Sequence, residues 1–402
     1  MGYDAIIIGG GLAGATVAKN LAERGNQVLV LEREERFRDR IRGEQMHPWG
    51  VSAARQLGVY EPLVAAGGNQ TYHWTTWIGG QPAFNRDLRT TTHHGVGSFN
   101  IYHPAMQQEL LSVAQNAGAD VRRGITVHSV EPGHPPKVHV RDGGSQTCLE
   151  ARIVIGADGR NSRVRSSAGF EIQRDPELLM IAGLLFDGVP APDHATHHCV
   201  GGEGAALVAP LGRKRARIYY IYRLSDGIRG LSGERKLDEF LTCCRAAGVP
   251  AEWLADAVPA GPLGEFSGAD RWVNSPAREG VALIGDAAAE CDPSWGTGLS
   301  VTLLDVVRLT ERLCSSSDWE QGIQGYASDH DFHYGRTHEV TQLLVELLWT
   351  TGQAADERRM RVLPFLLTAP QGVPDVLGLG PDSPLDEQAK RRLFGEAEAA
   401  HA

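Results

Sequence analysis

The sequence predicts an α/β fold: a Rossmann-like nucleotide-binding domain, an interleaved mixed β-sheet substrate domain, and a helical C-terminal tail. Three observations carry that prediction. The apolar run Ala5-Ile6-Ile7-Ile8 leads through Gly9-Gly10-Gly11-Leu12-Ala13-Gly14 into a helix-forming stretch. Two later apolar runs, reaching Gly156 and Gly285, lead into loops with glycines of their own. Between these two units lies β-rich sequence, clearest from Ala216 to Tyr222. Parallel strands need crossover connections, so strand-to-loop units scattered along one chain imply one sheet assembled from separate segments.

In order along the chain, a helix is expected over 15–24, with Val17, Ala18, Leu21 and Ala22 on one face and Gly25 just past its end. Val28-Leu29-Val30-Leu31 is the second strand, with Glu32 at its carboxyl end. Helical spacing returns over 50–57 and 104–117, with strands and loops over about 70–100. A strand and turn follow at 151–159, a helix at 236–247, a buried strand at 281–284 and a helix at 299–314. These elements group into a discontinuous nucleotide-binding domain (1–70, 100–177 and 273–336) and a β domain (71–99 and 178–272). Residues 337–402 form the C-terminal helical region.

Composition narrows the function. The 402 residues carry 39 Lys and Arg against 49 Asp and Glu, a net charge of −10. That balance argues against an extended nucleic-acid binder. No apolar stretch is long enough to span a membrane, and strand sequence begins at Tyr3 with no secretory pattern before it. Six cysteines without Cys-x-x-Cys spacing predict reduced thiols in a cytoplasmic protein and no zinc. Glycine is in excess, 48 of 402 or about 12% against the usual 7%, which points to specific tight turns.

Gly9-x-Gly11-x-x-Gly14 opens a helix directly after a strand, with Glu32 18 positions beyond Gly14. In that setting Gly9 permits the turn, Gly11 lets a pyrophosphate reach the backbone, and Gly14 allows close helix–strand packing. Glu32 suits the ribose hydroxyls of an ADP-containing dinucleotide. A second unit, Gly156-Ala157-Asp158-Gly159, precedes Arg160, Arg163 and Arg165; read by spacing alone, it is either functional or an ordinary loop before a basic helix start. The third, Gly285-Asp286, runs on to Pro293-Ser294-Trp295-Gly296-Thr297-Gly298-Leu299, where a carboxylate can hold a polyol and loop amides a polar ring edge.

These three units, in this order, resemble the FAD-dependent aromatic hydroxylase superfamily, the single-component flavoprotein monooxygenases similar to p-hydroxybenzoate hydroxylase. The resemblance covers roughly 3–60, 100–170 and 275–315. It implies FAD, with Leu12, Ala13, Arg33 and Arg42 joining the fingerprint glycines near the adenosine and phosphates. It assigns Asp286 to the ribitol or ribose region, and Pro293, Gly296, Thr297, Gly298 and Leu299 to the isoalloxazine. It links Asp158 and Gly159 to pyrophosphate and NAD(P)H handling. The chain departs from many relatives at Ala289 (His), Ser300 (Asn) and near His103 (Arg); His103 and Gln107 are therefore the expected pyrophosphate contacts.

The reaction implied is hydroxylation or epoxidation with NAD(P)H and O2, through a flavin C4a-hydroperoxide, of an aromatic or polyketide-like small molecule by a monomer or homodimer. The β insert offers His73, Trp74, Trp77, Phe84, Tyr220, Tyr222 and Arg223 as substrate contacts, with Trp295 from the third unit. His47 is the candidate proton relay or substrate contact, set against a structural role in a turn. The pairs His93-His94 and His197-His198 lack a local carboxylate, so no metal is expected. Similar FAD motifs occur in geranylgeranyl reductases, halogenases and non-catalytic binders of the same fold. Against halogenation, Trp74-Thr75-Thr76-Trp77-Ile78-Gly79 has the wrong spacing for a Trp-x-Trp-x-Ile-Pro signature, and no Lys occurs between Lys19 and Lys137.

Overall fold

Alternation along the first two strands decides how their sheet is built. Ala5 and Ile7 face one side and Ile6 and Ile8 the other, as do Val28 and Val30 against Leu29 and Leu31. A sheet apolar on both faces must be covered on both, which is the setting of parallel strands. The structure, a computed structural model, describes residues 2–41, 43–142, 145–202, 204–228, 230–368 and 371–396.

Among these residues, an eight-stranded sheet has the main order Ala277–Arg278, Val281–Leu283, Ser145–Gly156, Tyr3–Ile8, Val28–Glu32, Asp120–Arg123. Thr126–Glu131 and Lys137–Asp142 extend it as a hairpin off Ser145–Gly156. Tyr3–Ile8 lies parallel to both neighbours, and Val281–Leu283 parallel to Ser145–Gly156. Gly9, Glu32, Ala157 and Gly285 therefore leave the sheet at one edge. Helices Leu12–Ala22, His103–Asn116 and Gly298–Ser315 cover one face; Val127, Val138 and Val164 pack on the other.

The second sheet has the order Val258–Pro259, Leu179–Asp187, Arg215–Arg223, Gly204–Pro210, Ala195–Gly201, His73–Ile78, Gln81–Asp87, with Gly264–Ser267 also paired to Leu179–Asp187. Its last hairpin comes from a distant part of the chain and joins through parallel pairing of His73–Ile78 with Ala195–Gly201. Ala182, Leu184, Tyr220 and Tyr222 pack on one face with Phe240 and Cys244 of helix Leu237–Ala246. Ile181, Leu207, Tyr219 and Ile221 occupy the opposite face, with Ile41, Trp74 and Phe266.

The C-terminal region is helical, with Trp319–Trp349, Gln353–Thr368 and Glu387–Leu393. Trp319–Trp349 runs unbroken through residue 337. Gly335 lowers helix propensity there without ending the helix, and its missing side chain faces open space. Val345 and Trp349 of this helix pack onto the Tyr219 face of the second sheet. No helix among the described residues is long and apolar enough to cross a membrane.

Candidate functional site

A cavity of about 400 Å3 takes its walls from the carboxyl edge of the parallel sheet and the Tyr219 face of the second sheet. The first unit contributes Gly9, Gly11, Leu12, Ala13, Glu32 and Arg33 to its wall, and the next helix His103 and Gln107. Asp158 and Gly159 come from the second unit; Gly285, Asp286, Pro293, Gly296, Gly298 and Leu299 come from the third. Gly14 and Thr297 are not on the wall, and Arg42 falls outside the described residues.

The glycines do two different jobs. Gly9 has φ +103°, and a Cβ there would lie 2.3 Å from the Ala157 carbonyl oxygen; one on Gly14 would lie 1.9 Å from the Gly9 carbonyl oxygen. These two positions hold strand, loop and helix together. Gly11 instead faces the cavity, where an added Cβ would meet only Gln107 Nε2, at 3.5 Å. Helices Leu12–Ala22 and Gly298–Ser315 both start without a side-chain cap and without an acidic residue in the first turn. Their N-termini are left to interact with an electron-rich ligand.

Glu32, buried at the end of its strand, accepts from the Gly10 amide at 2.7 Å and, with its other oxygen, from the Glu34 amide at 2.7 Å. Asp158 accepts from Ser162 Oγ at 2.5 Å and the Arg163 amide at 2.6 Å, and Ser162 Oγ in turn caps the helix Arg163–Ser167 by accepting the Arg165 amide at 2.9 Å. Burial raises the Asp158 pKa, against the pull of those bonds. Arg165 then donates to the Ala287 and Asp286 carbonyls at 3.1 and 3.3 Å and to the Arg160 carbonyl at 2.6 Å. The Asp-Gly and Gly-Asp units are thus bolted to each other.

Behind the Gly-Asp turn lies a cluster that motif reading missed. The Gly285 amide donates to Asp305 Oδ2 at 2.8 Å, and Asp305 Oδ1 lies 2.7 Å from His330 Nδ1 and 2.9 Å from His333 Nε2. All three side chains are buried. Burial alone would raise the Asp305 pKa, but the two imidazoles outweigh it and hold the carboxyl well below its usual range. The available signal was the i, i+3 spacing of His330 and His333 on one helix.

Open backbone at Gly11, two uncapped helix N-termini and an acid at the second strand's end fit an ADP-containing dinucleotide. The chain belongs to the FAD binding domain family, matching it over residues 2–324. The resemblance to FAD-dependent aromatic hydroxylases is borne out with it. Similar curated proteins include a digeranylgeranylglycerophospholipid reductase of Methanococcoides burtonii, 27% identical and covering 74% of this chain and 71% of that one. An aromatic compound monooxygenase of Bacillus subtilis is 26% identical (79% and 62%), and the rifampicin monooxygenase of Streptomyces venezuelae 27% identical (79% and 65%). The chain thus spans less than two thirds of each of those two monooxygenases. Among solved structures, p-nitrophenol 4-monooxygenase of Pseudomonas putida superposes with TM-score 0.79 at 18% identity, covering 91% and 94%. A flavin-dependent halogenase superposes with TM-score 0.74 at 20% identity, covering 91% and 70%. At these identities the superpositions describe fold.

The expected substrate residues land elsewhere than the wall. Strand alternation turns Tyr220 and Tyr222 away from the cavity toward helix Leu237–Ala246 and presents Tyr219 instead. Trp77 donates to His197 Nδ1 at 3.2 Å and stacks edge-on against Trp253 on that same far side. Trp74 shares the Tyr219 face without reaching the cavity. His73 pairs with Asn85 at 3.2 Å, Phe84 is half-buried in the outer hairpin strand, and Arg223 is held by Asp226 at 2.8 Å. The second sheet's contribution is Leu207, Ala209, Tyr219 and Phe266.

His47 is fully buried off the cavity wall; its Nε2 lies 2.7 Å from the Trp295 carbonyl, and its amide donates to Ser300 Oγ at 3.0 Å. Burial lowers its pKa to about 4, so the ring is neutral and donates to Trp295. In this structure His47 and Trp295 brace the loop 293–296. Ser300 has a steric reason: a Cβ on Gly50 would lie 2.3 Å from its Oγ, so a larger residue at 300 would push its helix away from the one carrying Gly50. Ala289 packs with Trp49, Val301 and Tyr334, and His103 Nδ1 lies 3.1 Å from the Gly43 carbonyl. The fold also supplies the carboxylate that His93-His94 lacked in sequence: Asp382 Oδ2 lies 3.7 Å from His93 Nε2.

Proposed function

We propose that the protein is an FAD-dependent monooxygenase that uses NAD(P)H and O2 to hydroxylate or epoxidise an aromatic or polyketide-like small molecule. One observation carries the reading. The cofactor cradle continues, in a single cavity, into an apolar wall of Ile41, Leu207, Tyr219 and Phe266. Bound FAD would supply electron storage and oxygen activation. The chain's own role is to bind, orient and exclude water. Gly11 and the N-terminus of Leu12–Ala22 would hold the pyrophosphate, Glu32 the adenosine ribose, Asp286 the polyol, and the Gly296–Leu299 backbone the ring edge. The apolar wall would keep water from the reacting carbon. The division into an FAD-binding unit (1–70, 100–177, 273–336), a substrate unit (71–99, 178–272) and a C-terminal region (337–402) belongs to this reading.

A reductase is the second reading, favoured by the similarity to a digeranylgeranylglycerophospholipid reductase. Oxygen uptake separates the two. With flavin-loaded protein and a panel of phenols and aromatic polyketides, substrate-stimulated NAD(P)H oxidation should consume O2. NAD(P)H oxidation that saturates a substrate double bond without O2 uptake would favour the reductase.

A further inference from the structure

Three groups of histidine and carboxylate side chains gather among the described residues, and two of them close on themselves. In one, Asp305 Oδ1 lies within hydrogen-bond distance of both His330 and His333. In another, Asp175 Oδ2 lies 2.7 Å from His338 Nε2 and accepts from Gln342 Nε2 at 2.8 Å. The third group, His93, His94 and Asp382, is gathered without being bonded. His93 Nε2 and Asp382 Oδ2 are 3.7 Å apart, too far for a hydrogen bond. One nitrogen or oxygen from each of the three residues lies within 4.8 Å of the others. His94 Nε2 is buried and has no hydrogen-bond partner.

Other residues hold both halves of this group in place. On the hairpin side, the Thr91 and Thr92 hydroxyls donate to the Asp87 and Leu88 carbonyls at 2.7 and 2.8 Å, which fixes the turn leading into His93-His94. The two imidazole rings lie 4.0 Å apart, centroid to centroid, and so project together. On the C-terminal side, Asp382 ends the short turn Gly380–Asp382, and the carbonyls on either side of it, Pro381 and Ser383, both accept from Arg336. A buried ion pair of Arg86 with Asp375, at 3.1 and 2.6 Å, aligns the two halves. Donors placed by their surroundings, and not bonded to one another, leave space for an ion.

We propose that His93, His94 and Asp382 form a zinc site that clamps the C-terminal segment 375–383 onto the outer hairpin of the second sheet. Two imidazoles and one carboxylate suit a borderline divalent ion such as Zn2+, whereas a hard ion such as Mg2+ favours oxygen donors. Ligands of one tetrahedral zinc lie roughly 3.3–3.4 Å apart, from bonds of about 2.0–2.1 Å, so His93 and Asp382 need close by only a few tenths of an ångström. Burial, with His93 beside it, lowers the His94 pKa to about 4, so the ring is neutral and offers a lone pair. Three protein donors leave the fourth position to water.

The clamp acts on the loop 293–296 through Trp49. Trp49 Nε1 donates to the Val376 carbonyl at 3.0 Å, and a Cβ on Gly380 would lie 2.5 Å from the Trp49 ring, so the segment is pressed against that side chain. Trp49 stacks on His47, which bonds the Trp295 carbonyl. No part of this route involves a substrate, so the site stands apart from the monooxygenase reading.

The test uses the tag-free, flavin-loaded full chain, stripped of metal by a chelator and dialysed against Zn2+ or Mg2+ alone. Metal analysis should find one zinc and no magnesium per chain, and zinc should raise the thermal midpoint. His93→Ala, His94→Ala and Asp382→Asn should each keep FAD and weaken zinc binding at least about tenfold, since loss of even an outer partner of a metal site costs that much. The zinc-dependent rise in midpoint should shrink with it. The His93 side chain is 56% exposed, so His93→Ala decides the matter even if His94→Ala does not fold. A wild type that takes up no zinc, or variants that bind it as tightly as the wild type, would overturn the site. Zinc bound through these residues with no rise in the midpoint would overturn the clamp.

Discussion

The two sheets meet the cavity in opposite ways. The parallel sheet offers backbone: Gly11 with open space above it and helix N-termini without caps. The second sheet offers side chains, and which ones depends on a single register: Tyr219 faces the cavity and Tyr220 a helix. A backbone-built site is specified by local spacing, while a side-chain-built site needs the whole sheet to be in place first.

The largest effect should come from the backbone half. Gly14→Val places a branched side chain where a Cβ would already be 1.9 Å from the Gly9 carbonyl oxygen. We expect a cost of at least about 3 kcal/mol and loss of flavin retention. A Gly14→Val protein that melts and holds FAD like the wild type would break the comparison.

Next is Asp305→Asn, which removes the anion that anchors the Gly285 amide between two imidazoles. Disrupting a buried charged cluster costs roughly 3–5 kcal/mol, readable in the thermal midpoint, with weaker FAD affinity in fluorescence titration. Because the Asp305 pKa is depressed, its contribution is present above the ordinary carboxyl value of about 3.9 and is lost only at more acidic pH. Loss of that contribution already at neutral pH would contradict the arrangement.

His47→Ala should cost about 1–3 kcal/mol by leaving the Trp295 carbonyl unpaired. The His47 pKa is lowered, so the wild type should lose stability as pH falls from the ordinary histidine value of about 6.5 toward about 4, and the variant should lose less. A turnover profile whose shape changes near neutral pH in His47→Ala would restore a proton-relay role to this residue. The smallest effect is expected for Tyr220→Phe, within about 1 kcal/mol and with phenol binding unchanged. Equal effects of Tyr219→Phe and Tyr220→Phe on bound phenol would mean that register does not choose the wall.

The same contrast explains what could be read from the chain. Gly9, Gly11, Glu32 and Asp286 were legible because each stands within a few residues of the strand that positions it. The two-faced strands around Ile7 and Val30 were legible because their neighbours are all apolar. Tyr219 was not legible: in a run of alternating aromatics, composition does not say which face meets the cofactor cleft. Glu44 accepts from Arg217 across 173 residues, and Asp305 meets Gly285 across 20 residues and a helix. Asp382 reaches His93 only through the C-terminal fold. Contacts of that range are products of packing, and no local pattern announces them.

The central claim, that the glycine cradle and the apolar wall serve oxygen transfer, is tested most directly by product mass under 18O2. With flavin-loaded protein, NAD(P)H and a turned-over phenol or polyketide, the product should carry one labelled oxygen atom. A product formed at the expense of NAD(P)H with no label would contradict the account.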